Sequence, residues 1–447
     1  MTDKQTDVNK ADEQNKEFVF LREEIKARPI NKHKIMRNSI VAAISALVFG
    51  LVACVTFVLL TPLLTKYIGR NETETTVPGI TLPSETLEEE MDPKDMLVED
   101  EIDFSKFSFL NEEQVKELIS GISFSVSDYR ELYASLANVA DEAERAVVKV
   151  SAIKKDTDWF NNLYEGTSII SGLIVAETEE KLFILTYYEP LKNAESILVT
   201  FKNNIQAKAE LLKNDIETGF CVISVSCDGI NEVTRSLIKV APLGSSYSQQ
   251  LLGSPIIAVG SPMGAYGSLS YGIVTSSVEK ISVVDNYYRK LQTDIYGSDN
   301  ATGFLVTTKG LFVGVITTAF SDDDAKNLIS GLGITDLRNL IERMSNGLDI
   351  PYFGIIGVDV PSEAVYSYGV PIGTYVKSVE MDSPAMHAGI QPGDIIFGIG
   401  NSNITNFSDF TAAMRNEAID KELTVKLYRA VKDTYKELTV NLTIKMR

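Results

Sequence analysis

Histidine is nearly missing from this sequence. There are two in 447 residues, His33 and His387, and none occurs between residues 34 and 386. Imidazole is the side chain best suited to moving protons near neutral pH. That span therefore lacks the usual base for activating a serine or cysteine and cannot hold a Ser-His-Asp triad. Cysteine is scarce too, at three. Cys54 lies in an apolar run, and Cys221 and Cys227 fall six apart on a stretch that reads as a strand. Six residues of straight strand span about 20 Å, too far for a disulfide. Three cysteines and two scattered histidines form no zinc pattern, so neither a metal nor a cofactor is expected. Positive charge is in deficit: 42 Lys and Arg against 61 Asp and Glu leave a net charge of −19. Nucleic acid and anionic membrane surfaces are poor partners for such a chain.

What the sequence does contain begins with Ile40–Leu64, 25 residues without a charge, where about 20 suffice to cross a bilayer. Lys26, Arg28, Lys32, Lys34 and Arg37 precede it, and after Lys66 and Arg70 the chain turns acidic. This predicts a single transmembrane helix over 38–66, with residues 1–37 as a cytoplasmic tail and everything beyond it outside the cell membrane. A cleaved signal peptide fits less well, because the apolar run is long and its leading region is nearly forty residues. Leu51-Val52-Ala53-Cys54 has the shape of a bacterial lipoprotein cleavage box. The apolar Val55-Thr56-Phe57-Val58-Leu59-Leu60 after it does not suit the start of a mature lipoprotein.

Residues 67–110 form an acidic linker, rich in Thr, Pro, Glu and Asp, including Glu88-Glu89-Glu90. It reads as a self-repelling spacer, with a cation site as the alternative. From Asn111 the pattern is helical, with Val115, Leu118 and Ile119 at helical spacing and a second helix over Ser127–Ala146. From Val147 to about 320 short apolar strands follow one another between turns, as in Leu182-Phe183-Ile184-Leu185-Thr186, Ile197–Phe201 and Pro255–Gly260. This predicts a mainly β barrel domain over 111–345. Asp322-Asp323-Asp324 is a loop tip or a cation site. A helix over Asp336–Ser345 then leads into a last module at 346–447.

Two regions carry recognisable patterns. Asp299-Asn300-Ala301-Thr302-Gly303-Phe304-Leu305 precedes a strand, the Gly310 turn and a second strand containing Gly314. Leu251–Gly264 ends in Gly260-Ser261-Pro262-Met263-Gly264, without the Lys and helix of a phosphate loop. Gly272-Ile273-Val274-Thr275-Ser276 follows. Further on stand Tyr352-Phe353-Gly354-Ile355 and Ser383-Pro384-Ala385-Met386-His387-Ala388-Gly389-Ile390-Gln391-Pro392-Gly393-Asp394-Ile395-Ile396. From about residue 130 onward the chain resembles the membrane-anchored bacterial type of HtrA/DegP serine protease. The resemblance implies a two-lobed trypsin-like (chymotrypsin-fold) barrel followed by a PDZ domain.

Carried over residue by residue, the resemblance puts Glu189 where the family has its histidine, in Leu185-Thr186-Tyr187-Tyr188-Glu189-Pro190-Leu191. It puts Gly219 at the aspartate and Ala301 at the nucleophile. Counting forward from Thr293-Asp294 gives Thr302 as the nucleophile instead. Counting back from Gly303 and Leu305 gives Ala301, which more identities anchor. Phe304 replaces the family proline and Thr302 a glycine in the loop that would shape an oxyanion hole. Ser298 is a nearby hydroxyl that also reads as a turn residue.

In the last module the resemblance makes Tyr352, Phe353, Gly354 and Ile355 a loop whose amides cradle a peptide's C-terminal carboxylate. The strand after the loop would pair with the peptide. Phe410 and Met414, four apart on a helix over Ser408–Arg415, are either the wall of the peptide groove or core. His387 falls on a short surface helix. The expectation is a membrane-anchored pseudoprotease that binds extended or C-terminal peptides, or unfolded proteins, at the cell envelope. It would act as a scaffold or regulator of protein quality control. The rival expectations are an endopeptidase using Thr302, with Glu189 as a poor base, and a purely structural spacer. Homotrimers, or mixed oligomers with an active paralogue, would form through Phe124, Tyr129 and Tyr133.

Overall fold

The structure is a computed structural model that describes residues 79–86, 125–157, 163–247, 249–321, 323–415, 417–432 and 434–447. The expected tail, the membrane helix at 38–66, most of the acidic linker and Phe124 lie outside the described residues. Among the described residues no helix is long and apolar enough to cross a membrane, and no cluster of His, Cys, Asp and Glu could hold a metal.

The first lobe is a closed six-stranded barrel of β1 (Val147–Thr157), β2 (Leu163–Glu177), β3 (Lys181–Tyr187), β4 (Ser196–Thr200), β5 (Gln206–Asn214) and β6 (Phe220–Ser226). Between β3 and β4 lies α2 (Tyr188–Leu191); α1 (Val126–Ala143) precedes the lobe and α3 (Glu232–Leu237) follows it. The second lobe contains β7 (Pro255–Ser261), β8 (Ser268–Ser276), β9 (Lys280–Val283), β10 (Asn286–Tyr296), β11 (Thr302–Thr307), β12 (Phe312–Ile316) and β13 (Leu328–Gly333). The sheet order is β13-β12-β11-β7-β8-β10-β9, and a β10–β13 pairing closes it on itself.

Strands such as β3 and β7 are apolar without alternation because each buries both faces. In β3, Leu182 and Ile184 enter the core of the first barrel, while Phe183 and Leu185 enter the cluster that packs the two lobes together. Strand β7 divides likewise: Ile256 and Ala258 face the second barrel's interior, Ile257 and Val259 the shared cluster. Phe304 and Phe312 stack edge-on in that cluster with ring centres 6.2 Å apart. Each is fully buried, a contribution of about 1.5–3 kcal/mol per ring.

Helix α1 opens with a capping box in which Ser125 and Asp128 satisfy each other's backbone amides. It buries Ala140 and Ala143 and packs Leu136 and Val139 partly against the shared cluster. Tyr133 lies edge-on to Tyr271 at 5.7 Å, and Val126, Tyr129, Leu132 and much of Tyr133 stay exposed. The helix ends at Ala143, and a 3₁₀ turn takes up Glu144–Ala146. Helix α4 (Ile334–Ser345) starts two residues before the expected Asp336 and buries Leu337, Leu340, Ile341 and Met344. Against it lies part of the acidic segment expected to be a free spacer: Leu82 is buried in the shared cluster. The Leu82 amide donates to Glu342 at 3.1 Å, and Asn346 Oδ1 accepts from the Ile80 amide at 2.6 Å.

The final module comprises β14 (Pro351–Tyr352), β15 (Ile355–Asp359), α5 (Ser362–Tyr368), β16 (Thr374–Val379), α6 (Pro384–His387), β17 (Ile395–Ile399), β18 (Ser402–Asn403), α7 (Phe407–Arg415), β19 (Glu422–Val431), β20 (Thr434–Thr443) and β21 (Lys445–Met446). Its main sheet runs β15-β16-β17-β19-β20, with β18 beside β17, and β14 pairs with β21. Helix α7 begins at Phe407, one residue before the expected start.

Candidate functional site

Backbone next to the three positions that the resemblance aligned with a triad is tied together at the seam between the lobes. Strand β3 ends at Tyr187, whose hydroxyl accepts from the Gly303 amide at 2.8 Å and donates to the Ile316 carbonyl at 2.7 Å. Burial pushes the Tyr187 phenol pKa up. One residue on, the Tyr188 amide donates to the Gly219 carbonyl at 2.8 Å. Gly219 sits in the β5–β6 turn at φ +73°.

The side chains at these positions build no relay. Glu189 leaves the seam: its carboxylate side chain is 82% exposed, 3.9 Å from the Lys192 ammonium. Ala301 is buried, and its methyl packs in the second barrel's apolar interior with Ile256, Ala258, Ile295 and Leu305. Its amide, the type of donor an oxyanion needs, donates instead to the Ser298 carbonyl at 2.9 Å. The Asn300 amide donates to Ser298 Oγ at 3.3 Å.

Thr302 points the other way, half-buried, into a hydroxyl cluster. The Ser171 amide donates to its Oγ1 at 3.4 Å, and Ser171 Oγ lies 3.0 Å from Ser261 Oγ. Among the described residues no hydrogen bond joins Thr302 to Glu189 or to any other titratable side chain. Gly303 must be glycine here, because at φ +137° a Cβ would stand 2.1 Å from the Val259 carbonyl oxygen.

The loop between β14 and β15 is a cradle of backbone donors. The Phe353 carbonyl accepts from Ala385 and the Gly354 carbonyl from Glu380, both at 2.9 Å, so the loop is held on its outer side. Its inward amides meet a carboxylate. Phe353 donates to Asp285 Oδ2 at 2.8 Å, Gly354 to Oδ1 at 2.8 Å and to Oδ2 at 2.9 Å, and Ile355 to Oδ1 at 2.9 Å. The Asp285 amide in turn donates to the Ile355 carbonyl at 2.7 Å. The amides sequence reading left open for an incoming chain thus hold a side chain from the β9–β10 turn of the second lobe.

Burial raises the Asp285 pKa to about 6, against the opposing pull of the three amides and the Arg447 guanidinium. Phe410 and Met414 are buried beside this loop. The Phe410 ring lies 5.1 Å edge-on from that of Phe353, and both Phe410 and Met414 belong to the module's buried core. Tyr352 is half-buried, and His387 is exposed on α6.

Sequence reading passed over Asp285 and Tyr187. Tyr187 left no signal beyond being polar at the end of an apolar strand. Asp285 had one: Val283-Val284-Asp285-Asn286 is a turn dipeptide after two valines.

A two-lobed chymotrypsin-type barrel followed by a carboxylate-cradling β module defines a trypsin-like peptidase fold with a PDZ domain. Residues 170–315 match the trypsin-like peptidase domain family and residues 351–442 the PDZ domain family. The chain is 24% identical over 340 residues to "Serine protease Do-like HtrB" of Bacillus subtilis, covering 69% of this chain and 71% of that one. It is 27% identical over 290 residues to "Serine protease Do-like HtrA" of the same organism, covering 61% and 63%. Among solved structures, the HtrA-type protease AlgW with a decapeptide aligns at a TM-score of 0.52 and 18% identity, over 70% of this chain and 98% of that one. The chain is thus similar to HtrA/DegP-type proteases, with a trypsin-like serine-protease fold and a PDZ domain behind it.

Proposed function

We propose that this chain is an HtrA-like pseudoprotease that binds peptides rather than cutting them. The observation that carries the reading is the Ala301 methyl packed in an apolar core, while Glu189 is turned out to solvent. Cleavage needs a nucleophile and a base within hydrogen-bond reach, and these positions supply neither. A barrel keeps its fold without its catalytic groups, because its core does not depend on them.

In this reading one membrane helix within 38–66 anchors the chain with its N-terminus in the cytoplasm. Both folded domains then stand outside the cell, and the Tyr352–Ile355 loop takes extended or C-terminal segments of unfolded proteins. The chain acts as a scaffold or regulator in protein quality control, as a homotrimer or with an active paralogue. The exposed Val126, Tyr129, Leu132 and Tyr133 of α1 supply an apolar face for such assembly. The names of its relatives favour a serine protease, for which Thr302 would have to serve as nucleophile here, but among the described residues the hydroxyl cluster around Thr302 holds no base.

The deciding experiment incubates the purified full chain with casein and, separately, with a serine/threonine-directed fluorophosphonate. No cleavage and no labelling are expected. Cleavage that disappears in Thr302→Ala would overturn the pseudoprotease reading.

A further inference from the structure

The geometry points to Asp285 as an internal ligand of the PDZ loop, a latch that occupies the carboxylate site and must leave before a peptide enters. This rests on the reading of that loop as a peptide-carboxylate site.

Asp285 reproduces the two interactions a chain terminus would make. Its carboxylate takes the amides of Phe353, Gly354 and Ile355 at 2.8–2.9 Å, and its own amide pairs with the Ile355 carbonyl at 2.7 Å. An internal residue can do this only where the chain turns sharply away afterwards, and Asp285 sits at φ +62°, a backbone state Asp and Asn tolerate best among side-chain-bearing residues.

The turn is fastened on both sides. Arg447 donates to the Val284 carbonyl at 3.0 Å and forms a buried ion pair with Asp215 of the β5–β6 turn. Tyr287 packs against Phe407, with ring centres 6.0 Å apart, and its hydroxyl lies 3.2 Å from Ser408 Oγ. Arg447 thus ties the β9–β10 turn to the β5–β6 turn, and Tyr287 ties the hairpin to α7. The ligand class that displaces the latch is a peptide with a free C-terminal carboxylate. An internal segment without an acidic residue cannot replace the lost charge on three donors.

The test uses the full chain in detergent micelles and a fluorescein-labelled hexapeptide, Lys-Ile-Ser-Val-Val-Val. The peptide repeats Lys280–Val284 and ends in a valine whose carboxylate takes the place of Asp285's. Asp285→Gly accepts the turn's backbone outright and removes the whole carboxyl group, and Asp285→Ser leaves only a hydroxyl too short to span the three amides. Two readouts are taken: hydrogen exchange of the segment covering 352–356, and anisotropy with the free-acid peptide and its C-terminal amide.

Both variants are expected to exchange that segment, and to bind the acid peptide, about tenfold more readily than the wild type, with little binding of the amide. Unchanged exchange in both variants overturns the latch whatever the peptide does. Faster exchange with equal acid-peptide affinity in wild type and variants also overturns the latch, and leaves the loop standing as a carboxylate site. Faster exchange with no acid-peptide binding to any variant overturns the peptide-site reading, and the latch as a regulator with it.

Discussion

The Tyr187 hydroxyl accepts the Gly303 amide at 2.8 Å while donating to the Ile316 carbonyl at 2.7 Å, sewing the first barrel to the second beside the position a nucleophile would occupy. A buried phenol with both partners satisfied is expensive to remove. Tyr187→Phe keeps the ring and its edge-on contact with Phe220, at 5.6 Å, but strands a buried amide. The expected loss is about 1–3 kcal/mol of stability, read as a lower urea midpoint at unchanged slope. A midpoint equal to wild type would show that the bond contributes nothing.

Restoring a serine at residue 301 is not expected to restore catalysis. Ala301→Ser puts a hydroxyl among Ile256, Ala258 and Leu305 with no base in reach, at a cost of about 1–3 kcal/mol for an unpaired buried polar group. The variant should melt lower than wild type and stay unlabelled by fluorophosphonate. Labelling would mean that Glu189 or another group reaches residue 301 in solution.

Much of this was legible in the sequence, for local reasons. The Gly303–Gly314 pattern and the Ser383–Ile396 motif are demands of backbone geometry and packing. Asp394 is one example: buried, it receives the Arg429 guanidinium through two bonds of 2.7 Å. The absence of histidine was a count, and needed no fold. Strand burial on both faces explains why the apolar runs lacked alternation yet were strands. What could not be read depends on residues far apart in the chain. Asp285 and Phe353 are separated by 68 positions, and nothing in Val283-Val284-Asp285 names the loop its carboxylate meets. Leu82 is similar: a single leucine in an acidic stretch carries no mark of the α4 groove it fills. Glu189's exposure depends on how the short helix α2 leaves strand β3, which spacing does not encode.

Gly354 is fixed by two independent constraints. Its φ of +97° suits glycine alone, and a Cβ there would stand 2.1 Å from the Ser383 Cβ. The backbone strain of Gly354→Ala is worth roughly 1–3 kcal/mol before the clash with Ser383 is counted. The variant is expected to lose the PDZ transition in thermal unfolding, or to shift it down by several degrees. Wild-type melting would show that the loop relaxes without cost.

The Asp285 pKa of about 6 gives the latch a pH dependence whose direction follows from proton counting. Released to solvent, the side chain returns to the usual 3.8; latched, it binds a proton more readily. Between about pH 4 and 6 closing therefore takes up protons, and acidification favours the closed hairpin. That advantage is complete below pH 4 and is lost as pH rises through 6. The groups acting on Asp285 are the Arg447 guanidinium, which opposes the rise, and more distantly Tyr352, whose own phenol is raised by burial and by the Asp285 charge. Glu217, Asp215 and Tyr288 complete the surroundings through Arg447. Carboxyl-carbon NMR of the full chain is expected to show one aspartate titrating near pH 6 that disappears in Asp285→Asn. Exchange of the 352–356 segment, corrected for its intrinsic rate, is expected to slow between pH 7 and 5 in wild type and not in the variant. An Asp285 midpoint below 4 would mean that the three amides outweigh burial, and the latch would then tighten as pH rises instead.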